Sequence, residues 1–237
     1  MRYIRAALAL AALIIPAIGA FAQAQSGPAP LDHRERTAKN ATLFPHLDSN
    51  RRLETVKPDA NGVIDLTKRG LLYTYPGRAS TDTPQKELSG LARVSDAIVE
   101  GVAERCESAL TATHSSVFSE WTIRVTRILK NNFKVDIPLG GTIIGAQSGG
   151  DLVINGIRVQ AHSPSEAELS LQRKYILYLG AVPESQSFTV RRPFFDVTGD
   201  APVFMCDPKY TTSTLWEFCA AATTDALGAA VLRSVYP

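Results

Sequence analysis

Ser95–Lys130 reads SDAIVEGVAERCESALTATHSSVFSEWTIRVTRILK and spells two long β-strands around a polar connection. In Ala97-Ile98-Val99-Glu100-Gly101-Val102-Ala103 apolar residues dominate, and Gly101 marks a bulge or a close approach of backbones. Thr111–Ser116 is polar and turn-like. From Trp121 the period is two, which places Trp121, Ile123, Val125 and Leu129 on one face and Thr122, Arg124 and Thr126 on the other. Almost no side chain in the stretch suits catalysis, so it builds a body and not a site.

Downstream, Pro138–Gly141 turns the chain into Thr142-Ile143-Ile144-Gly145-Ala146. Asn155-Gly156 is the preferred pair for a two-residue type I′ hairpin. A turn there opposes Ile154 to Ile157, Val153 to Arg158 and Leu152 to Val159. Tyr175–Leu179 is apolar on both faces and reads as a central strand; Phe188–Val190 and Pro202–Cys206 add one or two more. Thr214 with Glu217 forms a capping box, and Leu215, Phe218, Cys219, Ala222 and Ala226 continue it at helical spacing. Six or more strands without a βαβ rhythm predict a mainly β fold over residues 91–237: a small, partly open antiparallel barrel with a C-terminal helix. A two-sheet β-sandwich is the alternative.

Upstream, Gln25–Gly90 is rich in proline and has no sustained period, so it reads as an extended, partly disordered arm. Asp59–Gly62 is a turn, and Val63, Ile64 and Leu66, then Leu71–Tyr75, are short strands it lays on the body. Residues 1–24 have the layout of a signal peptide: Arg2 and Arg5, an apolar run from Ala6 to Ile18, then Ala20-Phe21-Ala22 or Ala22-Gln23-Ala24 for cleavage. The mature chain is therefore expected to be exported, to the periplasm or the exterior. Cleavage removes Arg2 and Arg5 and no acid, leaving 23 basic against 23 acidic residues. That balance argues against nucleic acid as a partner, and no later segment is long and apolar enough to span a bilayer.

The strand pair Ser95–Val102 and Thr122–Lys130 resembles the first hairpin of OB-like barrels of the netrin and metalloproteinase-inhibitor type, where D-x-V-V-x-G-x-V precedes V-x-x-V-(L/I)-K. Arg173–Leu179 is similar to the later strand that follows a G-x-x-Y lead-in in such families. The chain also resembles exported bacterial proteins of unknown function that share this layout over about Leu91–Leu179. Inhibitors of that fold chelate the target's zinc with an N-terminal Cys-x-Cys. The expected mature N-terminus, Gln25-Ser26-Gly27, has no cysteine, so inhibition does not carry over and no functional residue is transferred.

Three cysteines follow the signal segment, and an oxidising compartment favours pairing. Cys206–Cys219 is the favoured disulfide, worth about 3 kcal/mol in the chain-entropy model, with Cys106 the alternative partner for either. His114, Asp136 and Ser148 follow the order of one serine-protease triad, but only 34 residues separate His114 from Ser148, and Ala146 breaks the G-x-S-x-G pattern. Ser148-Gly149-Gly150-Asp151 reads instead as a tight turn into the hairpin. His33, His46, His114 and His162 lack the short paired spacing of zinc ligands. Asp96, Glu100 and Glu104 line one strand face as a solvated row. Phe194-Phe195, after Arg191-Arg192-Pro193, reads as a contact patch on a Pro-bounded loop; Trp121, Tyr175, Tyr178 and Trp216 read as core.

The expected function is a non-catalytic binding or envelope-associated module for a protein, peptide or glycan, with neither cofactor nor metal. The alternative is a secreted hydrolase with a loop-borne site around Ser148, Asp151 and His162.

Overall fold

A strand that is apolar at every position is stable only when both its faces are covered. Two such stretches pair at the centre of the computed structural model, which describes residues 31–44, 52–66, 82–162, 167–205 and 214–236. The elements in chain order are α1 (His33–Asn40), β1 (Val63–Asp65), α2 (Pro84–Val94), β2 (Ala97–Leu110), β3 (Val117–Asn131), β4 (Thr142–Ser148), β5 (Gly150–Ile154), β6 (Ile157–Ala161), β7 (Lys174–Val182), β8 (Ser187–Asp196), β9 (Val203–Met205), α3 (Leu215–Ala221) and α4 (Thr224–Val235). Six strands form one sheet in the order β4-β3-β2-β7-β8-β9. The sheet curls until β4 meets β8 in a short parallel pairing, Gly145 with Phe188 and Ala146 with Thr189. It is a mainly β, partly open antiparallel barrel, not a closed one, with helices at its C-terminal end. Strands β1, β6 and β5 make a second sheet in that order.

Alternation along the central strands fills two cores. Ala97 and Val99 of β2 and Tyr175, Leu177 and Leu179 of β7 point into the barrel, where they meet Trp121, Ile123, Val125 and Phe188. Their neighbours Ile98, Ile176 and Tyr178 point out, under Leu88 and Ala92 of α2, Leu215 and Cys219 of α3, and Leu227 and Val231 of α4. A third cluster, with Ile64, Leu66, Val117, Val159 and Ala161, lies under the small sheet.

The hairpin has the register expected of it: Ile154 pairs with Ile157, Val153 with Arg158 and Leu152 with Val159. Asn155 and Gly156 take φ +50° and +81°, as a type I′ turn requires.

Elsewhere the period of two breaks. Val99 opposes Ile128 while Gly101 opposes Val125, and Ile98 opposes Lys130, so Thr126 and Leu129 are extra residues on β3. These bulges turn Leu129 into the outer core, opposite to the face shared by Trp121, Ile123 and Val125. A Cβ on Gly101 would stand 2.7 Å from Ile123 Cγ2 and 2.9 Å from the Arg124 carbonyl oxygen, so the glycine marks both a bulge and a close approach.

Three expectations are corrected. The Gln25–Gly90 segment lays down β1 as a strand but is not simply extended, since it also carries α1 and most of α2. Pro84 opens α2 at its first turn, where a missing N–H costs nothing, and Thr83 caps it by accepting from the Lys86 amide. The C-terminal helix is two helices: Thr223 caps α4, accepting from the Ala226 amide. Thr214 makes no cap; its hydroxyl instead donates to Glu87 Oε1 at 2.9 Å and ties α3 to α2. Phe194 and Phe195 lie in β8 and not in a loop, because the strand absorbs Pro193 at a register shift against β7. Adjacent on a strand, they enter the inner and outer core respectively and are fully buried, so they form no surface patch.

Residues 1–24, the Leu71–Tyr75 strand, His46 and Cys206 lie outside the described residues.

Gly101→Ala is expected to lower stability by about 1–3 kcal/mol through overpacking, read as a lower denaturant midpoint at unchanged slope. A wild-type midpoint would show that the strands at Gly101 are not in close contact.

Candidate functional site

The hairpin ends bring together two of the residues singled out in the sequence. Gly149 and Gly150 take φ +101° and +140°, conformations that favour glycine, and lead β4 tightly into β5. Asp151 then pairs with Gln160 across the hairpin, next to His162 at the end of β6. His162 Nε2 lies 3.1 Å from Asp151 Oδ2, and Nδ1 lies 2.7 Å from Glu168 Oε1. Arg158 donates to Asp151 Oδ1 from Nε at 3.1 Å and from Nη2 at 2.9 Å. Burial works against a charge on His162, but hydrogen bonds and charge from Glu168 and Asp151 outweigh it and raise the imidazole above its usual pKa.

Ser148 ends β4 opposite Phe118. Each ring nitrogen of His162 faces a carboxylate, and neither of these contacts is to Ser148. Glu168 was not foreseen as a member of this group. Its position six residues beyond His162, across a segment without strand period, gave no signal.

The row Asp96, Glu100 and Glu104 is not a wet acidic face. Glu100 pairs with Lys174, Glu104 Oε1 accepts from Arg124 Nε at 2.5 Å, and Asp96 meets Lys134 Nζ at 2.8 Å. Asp96 also accepts from the Ala181 amide at 2.9 Å and from Asn132 Nδ2 at 2.6 Å. Partial burial would raise its carboxyl pKa, but Lys134, the Ala181 amide and Asn132 together pull it down to about 2. Among the described residues no group of three or more His, Cys, Asp and Glu side chains is placed to hold a metal ion.

A second polar cluster joins α1 to the barrel. Glu107 and Glu120 stand directly opposite each other on β2 and β3, an unfavourable pairing of like charges. Glu120 is only 4% exposed. Asn40 Nδ2 donates to Glu120 Oε1 at 2.6 Å, Thr37 Oγ1 donates to Oε2 at 3.0 Å, and Arg36 Nε lies 3.6 Å from Oε2. His33 Nε2 lies 3.1 Å from Glu107. Asn40, itself fully buried, accepts through Oδ1 from the Ser187 hydroxyl at 2.9 Å. The sequence carried one usable hint, two glutamates facing each other across a hairpin; Arg105 on β2 pairs with Glu107, while the hydrogen-bond partners of Glu120 come from α1.

His114 bonds Glu54 Oε1 through Nδ1 at 2.9 Å. Cys106 and Cys219 are free thiols, and among the described residues there is no disulfide. Burial raises the Cys106 pKa, with the charges of Glu168 and Glu107 adding to it, and burial pushes Cys219 up to about 12. No helix among the described residues is long and apolar enough to cross a membrane. In comparison with known proteins, no family model and no curated relative matches the chain.

Two substitutions probe this wiring. Asp96 has a folded pKa below its unfolded value of about 3.9, so its contribution is present above pH 4 and lost as pH falls through about 2. Asp96→Asn should cost about 1–2 kcal/mol at neutral pH and converge with wild type at the acid end of a pH series of unfolding curves. Asn40→Ala leaves the Glu120 carboxylate and the Ser187 hydroxyl each short of a partner and should cost about 1–3 kcal/mol, measured by chemical denaturation.

Proposed function

We propose that the mature protein is an exported, non-catalytic binding or envelope-associated module of the OB-like barrel type, acting on a protein, peptide or glycan of the envelope or the exterior. The observation that carries this reading is the state of His162. Its two nitrogens face Asp151 and Glu168 at 3.1 and 2.7 Å, so the imidazole is engaged by carboxylates on both sides and ties the hairpin to the segment that follows it. The ion pairs of Asp96, Glu100 and Glu104 with Lys134, Lys174 and Arg124 support it in the same way. Export rests on the n-region, apolar run and small-residue cleavage pattern of residues 1–24. The curled β4-β3-β2-β7-β8 arrangement supports kinship with partly open OB-like barrels.

N-terminal sequencing of the exported protein should begin just after Ala22 or Ala24, and a serine-reactive phosphonate should leave Ser148 unlabelled in the folded chain. The mature protein, immobilised on beads, should capture a partner from its own envelope fraction in a saturable manner that free mature protein competes away. Labelling of Ser148, with turnover lost in Ser148→Ala, would establish the hydrolase reading instead.

A further inference from the structure

Ala167–Gln172 runs as a strap across the inner core, and few bonds hold it. Leu169 enters the core, the Ala167 carbonyl accepts from Gln147 Nε2 at 3.0 Å, the Ser170 amide donates to Tyr175 Oη at 2.8 Å, and the Gln172 amide donates to the Ala103 carbonyl at 2.7 Å. Among the described residues, the charged tie from the strap to the hairpin is Glu168 to His162. We propose that His162 is a pH-sensitive clasp, fastening the strap to the β5–β6 hairpin when protonated and releasing it when neutral. The device does not depend on what the protein binds.

Among the described residues, the charged groups facing His162 are Asp151 from β5 and Glu168 from the strap. Arg158 of β6 acts through Asp151, and Cys106 of β2 lies within reach of the Glu168 charge. As an imidazolium the ring donates to both carboxylates at once. After its proton passes to water a single N–H remains, and the other nitrogen turns a lone pair on a carboxylate oxygen about 3 Å away. Whichever tautomer forms, the chain of bonds from β5 through His162 to the strap is cut at one link. Asp151 keeps Arg158 in either case, whereas the cation for Glu168 among the described residues is His162. Because the folded pKa of His162 is raised, the clasp is fully present below the unfolded value and is lost as pH rises through the folded one. Loosening the strap would uncover Cys106 and two buried polar atoms without hydrogen-bond partners on the same inner face, Trp121 Nε1 and Gln147 Oε1.

Amide hydrogen exchange read by NMR, corrected for intrinsic rates, tests the clasp between about pH 5 and about pH 9, the range that brackets imidazole titration. The strap amides of Ser170 and Gln172 should open more readily with rising pH, by up to about tenfold for each unit by which the His162 pKa is raised, while Val99 and Leu177 in the central strand pair stay protected. His162→Gln, neutral throughout, should show open-strap exchange at every pH with no step. Glu168→Gln, which leaves the hairpin contact in place, should do the same and serves if the first variant fails to fold. A flat wild-type profile, an unchanged step in either variant, or equal loosening of Val99 and Leu177 would overturn the proposal.

Discussion

Burial of both faces of the β2–β7 pair is the constraint on which the rest of the structure depends. Ala97 opposes Leu179, Ile98 opposes Tyr178 and Val99 opposes Leu177, and all six are fully buried. Each large apolar side chain of this set contributes about 1.5–3 kcal/mol only if its own face is covered. One face is satisfied by curling the sheet so that β3, β4 and β8 wrap the interior. The other requires a helical layer, which α2 supplies from before the strands and α3 and α4 from after them. The curl and the helices are two answers to one demand, and neither alone would keep the central strands out of water.

What the sequence disclosed follows from the range over which its signals act. The Asn155-Gly156 hairpin was legible to the residue because turn chemistry and alternation lie within ten positions and agree. Tyr175–Leu179 was legible because a short, continuously apolar run has few other solutions. The face of Leu129 was not, since a bulge at Thr126 leaves no mark in a string that still alternates. Pro84 and Pro193 are ambiguous in the same way: each reads as a breaker in sequence, where one opens a helix and the other sits at a strand irregularity. Phe194 and Phe195 look like a patch in sequence because Pro193 appears to bound a loop, yet they lie in a strand of a sheet that has a core on each side.

The polar wiring was the least visible part. Glu120 and Asn40 are 80 residues apart, and Asn40 and Ser187 are 147 apart. No period or spacing announces such partners. They are nevertheless what seats α1, a helix whose one buried residue is polar and whose docking relies on satisfying a buried carboxylate. Removing one partner from a cluster of this kind costs more than the bond it made, because the others remain buried and unmatched. The same economy runs through the surface, where Glu100 and Glu104, acids that look available in sequence, each face a cation on a neighbouring strand.

The two described thiols lie on opposite sides of the main sheet, Cys106 against the inner core and Cys219 within the outer one. The sheet therefore acts as an insulator between them. Once folded, the protein can enter an oxidising compartment without these sulfurs reaching each other, and a bond joining them is accessible only to a chain that has not yet closed its barrel. For this pair of thiols the folded sheet is itself the barrier: a bond between them would require the packing around them to come apart.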